Sequence, residues 1–213
     1  LTLANMEVAT LTGGTSANTF TVSGWSGTGT LTGGGGSDVV AATNDVDFTL
    51  TDTSLARTSL GTLTLSAIGT ANLTGGGAAN TFTVSGWTGS GTLTGGGGSD
   101  VVAATKDANY TLTDTSLASS DSMSLTLSAI GTANLTGGAA NNSFTVSGWT
   151  GAGTMDGAGG TGDAIVSSSD AAAVTLTDTS LARTSTTTLT LANMEVATLT
   201  GGTSANTFTV SGW

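Results

Sequence analysis

Apolar residues alternate with threonine along most of this chain: Phe48-Thr49-Leu50, Leu63-Thr64-Leu65 and Phe82-Thr83-Val84 are typical runs. Period two places one set of side chains on one face and the threonines on the other, which predicts half-buried β-strands. No stretch carries a 3.6-residue apolar period, so no helix is predicted. The segments 29–32, 38–43 and 47–53, then 61–65, 71–74 and 81–85, read as short strands parted by clusters of small residues. Glycine between such runs marks corners, and Thr, Val and Phe suit pleated strands.

The pattern repeats. A segment ending in Ser-Gly-Trp returns at Trp25, Trp87, Trp149 and Trp213, the intervals being 62, 62 and 64. Residues 1–25 recur letter for letter as 189–213. Within one unit, the GTLT of 29–32 falls on the GTLT of 61–64. Each unit therefore divides into two imperfect coils of about 31 residues. Three strands per coil predict an all-β, three-faced, right-handed parallel β-helix (a β-solenoid) of about seven coils, some 30–35 Å long at the usual strand spacing. A two-faced β-roll of about 20 residues per turn is the alternative. Positions 31 apart resemble each other, whereas those 20 apart do not. The chain reads as one array, with a partial unit at 1–25 and units at 26–87, 88–149 and 150–213, and as a slice of something longer.

Three inward ladders follow. One stacks Leu31, Leu63, Leu93, Leu125 and Met155; a second stacks Leu11, Val40, Leu73, Val102, Leu135, Ile165 and Leu199. The third stacks Phe20, Phe48, Phe82, Tyr110, Phe144, Val174 and Phe208, with Val22, Leu50, Val84, Leu112, Val146, Leu176 and Val210 two residues on.

Composition narrows function mostly by exclusion. Thr (47) and Gly (34) dominate, and Pro, Cys and His are absent. Three Lys and Arg against fourteen Asp and Glu leave a net charge of −11. No basic stripe exists to neutralise phosphates, so nucleic acid is excluded as a partner, as are anionic membrane surfaces. No apolar run is long enough to span a bilayer, so no membrane insertion is expected.

Candidate chemistry is confined to acidic residues. GGGGSDVV at 33–40 returns at 95–102, and as GGTGDAIV at 159–166. The first two copies resemble the G-G-x-G-x-D-x-U-x calcium nonapeptide of haemolysin-type (RTX) repeats. That resemblance assigns Asp38, Asp100 and Asp163 as calcium ligands, since a hard cation gathers carboxylate and carbonyl oxygens. The alternative is a glycine corner capped by a local Asx hydrogen bond. Asp52, Asp114 and Asp178 of the TDTS segments, with Asp45, Asp107 and Asp170 before them, recur with every unit. A catalytic pair occurs once, so these are read as a solvated rim. With no His, no Cys and no unique Ser constellation, no enzyme is predicted. The Trp row is read as covering a corner against Leu55, Leu117 and Leu181, with sugar stacking as the functional alternative. Outward threonines (Thr49, Thr51 and Thr53 above Thr81 and Thr83) raise ice binding as a further one.

Taken together, LTGG, ANTFTVSGW, GTGTLTGGGGSDVV and DFTLTDTSL are similar to the tandem arrays of giant secreted bacterial surface proteins, the adhesin- or haemagglutinin-like family of β-solenoid repeats. The resemblance covers the whole chain. It implies a structural segment of an extracellular or cell-surface fibre, stalk or adhesin, partnered by its own kind through axial stacking into filaments or onto adjacent repeats. A calcium-binding RTX-like module, or a carbohydrate- or ice-binding solenoid, is the alternative function.

Overall fold

The computed structural model describes residues 6–213. Residues 1–5 of the partial first unit lie outside the described part. Among the described residues there are strands and turns and no helix.

The partial first unit holds β1 (Val8–Thr12) and β2 (Thr19–Thr21). The next gives β3 (Thr28–Thr32), β4 (Val39–Thr43), β5 (Phe48–Thr51), β6 (Ser54–Arg57), β7 (Leu63–Ser66), β8 (Thr70–Thr74) and β9 (Thr81–Gly86). The same seven recur as β10 (Ser90–Thr94), β11 (Val101–Thr105), β12 (Tyr110–Thr113), β13 (Ser116–Ser119), β14 (Ser124–Ser128), β15 (Thr132–Thr136) and β16 (Ser143–Gly148). The last unit gives β17 (Ala152–Asp156), β18 (Ala164–Ser169), β19 (Ala173–Thr177), β20 (Ser180–Arg183), β21 (Leu189–Ala192), β22 (Val196–Gly201) and β23 (Thr207–Val210).

These strands form two long, mostly parallel sheets, consistent with a β-solenoid. The larger has 13 strands in the order β1-β3-β7-β6-β5-β9-β11-β15-β17-β21-β20-β19-β23. The smaller has 10, in the order β2-β4-β8-β10-β14-β13-β12-β16-β18-β22. The three-faced, uniform coil is therefore corrected: the pairing makes two sheets, and its spacing is uneven. Val8 sits beside Thr28 and Thr70 beside Ser90, a sequence step of 20 in both cases. Val39 sits beside Thr70, a step of 31, and Gly29 beside Leu63, a step of 34. No single coil length holds throughout.

An antiparallel meander is the cause. After β4 the chain skips two strand positions, enters the larger sheet as β5, and folds back through β6 to β7, which settles against β3. Winding then resumes through β8 to β9, on the far side of β5. Each unit crosses between the sheets an odd number of times, so the next meander, β12-β13-β14, falls in the smaller sheet and the third, β19-β20-β21, in the larger again. The sequence unit is thus half of the structural repeat. Twelve strand steps make the larger sheet about 58 Å long, nearly twice the expected rod.

Between the sheets lies one apolar core. Of the three predicted ladders, every member from the interior units is buried, from Leu31 and Val40 through Phe48, Phe82 and Phe144 to Ile165 and Leu176. Phe48 stacks on Phe82 and Tyr110 on Phe144, each pair with ring centroids 5.3 Å apart, a geometry that adds to simple burial. At the ends Leu11, Phe208 and Val210 are exposed.

Candidate functional site

Asp38, Asp100 and Asp163 are each 1% exposed, at equivalent corners. Their Oδ1 atoms accept the backbone N–H of Asn18, Asn80 and Asn142, at 2.8, 2.8 and 2.6 Å, one layer earlier. Cross-coil capping therefore takes the place of the local Asx turn. Each carboxylate packs where its glycine has no side chain: a Cβ on Gly33 would stand 2.5 Å from Asp38 Oδ2. The three Oδ2 atoms are buried without a hydrogen-bond partner. Each corner brings a single one of these aspartates; at the third, Glu195 Oε2 accepts the Asp163 N–H at 2.9 Å. Among the described residues no group of three or more His, Cys, Asp or Glu is placed to hold a metal ion. Any calcium would have to draw most of its six to eight oxygens from backbone carbonyls or water.

The asparagines extend this network. Asn80 Oδ1 accepts the Gly76 N–H at 2.9 Å, and its Nδ2 donates to Asp45 Oδ1 at 3.2 Å; Asn142 repeats both bonds with Gly138 and Asp107. Asp45 also accepts from the N–H groups of Gly77 and Ala78. Asp170 accepts the N–H and the hydroxyl of Ser204, both at 3.0 Å, and these bonds hold its carboxyl below the usual carboxylate range. A shallow cavity of about 280 Å³ lies beside the first of these corners, lined by Asp45, Asp47, Thr58 and Asn80 among others.

The TDTS aspartates Asp52, Asp114 and Asp178 are exposed, yet the first two are caps as well. Asp52 accepts the Thr88 N–H and hydroxyl at 2.7 and 2.8 Å, and Asp114 does the same for Thr150 at 2.7 and 2.9 Å. Each clamps the residue that follows a Ser-Gly-Trp turn. Trp87 and Trp149 are buried, Trp25 is half-buried and Trp213 is exposed. The two interior indoles share the core with Leu55, Leu117 and Leu181 and present no ring face to a sugar. The glycine two residues after Trp25, Trp87 and Trp149 makes room for the ring, since a Cβ on Gly89 would stand 2.5 Å from Trp87 Cζ2.

Sequence reasoning missed the three cations. Arg57, Lys106 and Arg183 are all buried, and each docks on a Ser-Gly-Trp turn. Arg57 Nη1 donates to the carbonyls of Val22 and Trp25 at 2.9 and 2.6 Å. Arg183 donates to those of Val146 and Trp149 at 2.9 and 2.5 Å. Lys106 Nζ donates to the Trp87 carbonyl and pairs with Asp121 Oδ2 at 2.7 Å. Burial lowers the pKa of both arginine guanidinium groups from its ordinary value. Turn carbonyls with no strand partner need donors, and a buried cation supplies several at once.

No family model, no curated protein and no solved structure matches this chain.

Proposed function

We propose that this chain is a structural rod: a repeat segment of an extracellular bacterial fibre, stalk or cell-surface adhesin, without catalytic activity. One observation carries the reading. Apart from Asp178, the recurring aspartates of each unit, like the three cations, bond to the backbone of another layer, and the Asn80 and Asn142 side chains reach an aspartate of another layer. A chain whose polar groups are spent on holding layer to layer is built to extend. Negative-stain electron microscopy of the purified chain tests this. Rods with a long axis of about 60 Å, or fibres of the same width, support it, and particles of equal dimensions contradict it.

A calcium-binding module is the second reading, favoured by the buried, partnerless Oδ2 atoms of Asp38, Asp100 and Asp163. Melting with added calcium and with excess chelator tests it. A rise of several degrees that Asp100→Asn abolishes supports binding at these corners, and superimposable curves dispose of it.

A further inference from the structure

The repeat is kept at the first two aspartate corners and broken at the third in three places. The loop before Asp163 runs from 157 to 162, one residue longer than 33–37 before Asp38 and 95–99 before Asp100. Asn141, in the layer before, stands where the corresponding layers have Ala17 and Ala79. Glu195, in the layer after, stands where the two preceding units have Gly69 and Gly131. These departures meet in space: Asn141 Oδ1 accepts the Thr161 N–H at 3.1 Å, and Glu195 Oε2 accepts the Asp163 N–H at 2.9 Å.

The longer loop opens a cradle of oxygens. Gly160 lies at φ 123°, a backbone that suits glycine. Around the place its Cβ would take stand Asp163 Oδ2 at 2.8 Å, the Ala140 carbonyl oxygen at 3.0 Å and Asn141 Oδ1 at 3.1 Å. Asp163 is buried, and its Oδ2 has no hydrogen-bond partner. The three cations of the chain are all engaged at Ser-Gly-Trp turns. A buried carboxylate oxygen is costly unless something positive meets it. The other two corners have no such cradle. A Cβ on Gly36 would stand 2.6 Å from the Ala17 nitrogen, and one on Gly98 would stand 2.6 Å from the Ala79 nitrogen, each against the peptide of the layer before.

We infer that the third corner alone holds a calcium ion, bound by Asp163 Oδ2, the Ala140 carbonyl and Asn141 Oδ1, with water completing its shell. This rests on the calcium reading and narrows it from three corners to one. A hard cation of flexible geometry suits a carboxylate, a carbonyl and an amide oxygen brought together from two layers. Asn141 Oδ1 keeps a second lone pair beside its bond to Thr161, and Asn141 is exposed, so water and the ion can enter from its side. Glu195 adds a second carboxylate to this corner and to neither of the other two.

Calorimetric titration of calcium chloride into the chelator-stripped chain tests the site, with melting curves beside it. One ion per chain is expected. Asn141→Ala, at an exposed position that leaves the fold intact, should weaken binding about tenfold or more, since losing even a partner of a metal ligand costs that much. Asp163→Asn should abolish binding, and Asp100→Asn should leave it unchanged. Three ions per chain, with Asp38, Asp100 and Asp163 each accounting for one, would overturn the single site and uphold the broader calcium reading. One ion that survives Asn141→Ala undiminished, or is lost with Asp100→Asn, would overturn this ligand set. Neither heat nor a shift in Tm would overturn both calcium readings and leave the rod standing.

Discussion

Lys106 and Ser119 stand where the preceding unit has Asn44 and Arg57, and together they bring one cation to the same turn by a different route. Ser119 lies on β13 as Arg57 lies on β6, too short to reach the Trp87 carbonyl; Lys106, from the end of β11, reaches it instead. Asp121, where the neighbouring units have Ser59 and Ser185, pairs with Lys106 and accepts from Ser119. One demand, a donor for the carbonyls of a Ser-Gly-Trp turn, is thus met by two sets of residues.

The substitution Lys106→Asn should cost about 2–4 kcal/mol, because it strips a buried carbonyl of a charged donor. Adding Ser119→Arg should recover most of that loss by installing the first unit's solution. Urea unfolding of the two single variants and the double variant gives the coupling; additive losses would contradict the shared role.

Gly91 sits beside Ala71, and a Cβ on it would collide with the Ala71 carbonyl oxygen. Gly77 faces open space. Gly91→Ala should therefore destabilise by roughly 3 kcal/mol or more, and Gly77→Ala by no more than about 0.5 kcal/mol. Denaturation midpoints compared side by side check the contrast.

Ala67 and Ala129 adopt left-handed backbone, at φ 53° each, at the corner where the last unit has Asn193 at φ 50°. Alanine is poorly suited to this region and asparagine is tolerated. Ala67→Asn should raise stability by about 0.5–1 kcal/mol, measurable as a higher Tm. An unchanged or lower value would argue against strain at that corner.

Acid should weaken the second unit through Asp121. Burial alone pushes its carboxyl up, but the bonds from Lys106 and Ser119 outweigh it and leave the group below 3.8. A carboxylate depressed by folding stabilises above its unfolded pKa, and that contribution disappears as pH falls through the folded value. With a third of the side chain exposed, the pair is worth about 0.5–1 kcal/mol after screening. Unfolding curves from pH 7 to pH 2.5 should be flatter on the acid side for Asp121→Asn; a parallel curve would remove Asp121 from the account.

The inward-facing residues were legible in the sequence, and the number of faces was not, for one physical reason. Alternation fixes in and out with period two, and an even slip in register leaves it intact. Letter matching places Leu31 over Leu63, whereas the strands place it beside Leu65, two residues on. Both are buried, so the core reads the same either way. The meander was hidden because SLAR at 54–57 continues the alternation of FTLT before it, with only Asp52-Thr53 at the turn. The recurring aspartates were visible as a pattern, but their partners lie far along the chain, Asn80 from Asp100 and Thr88 from Asp52, a separation only the winding reveals. The cations left a signal that could have been read: lysine occurs only in the unit where serine replaces arginine.

The most direct test of the two-sheet winding is the distance between spin labels at Thr49 and Thr175, equivalent positions on β5 and β19, measured by pulsed dipolar spectroscopy. Seven strand steps separate them in the larger sheet, which predicts about 34 Å. A distance of about 19 Å, the four steps that a uniform three-faced coil gives, would contradict the meander and the alternation of units between sheets.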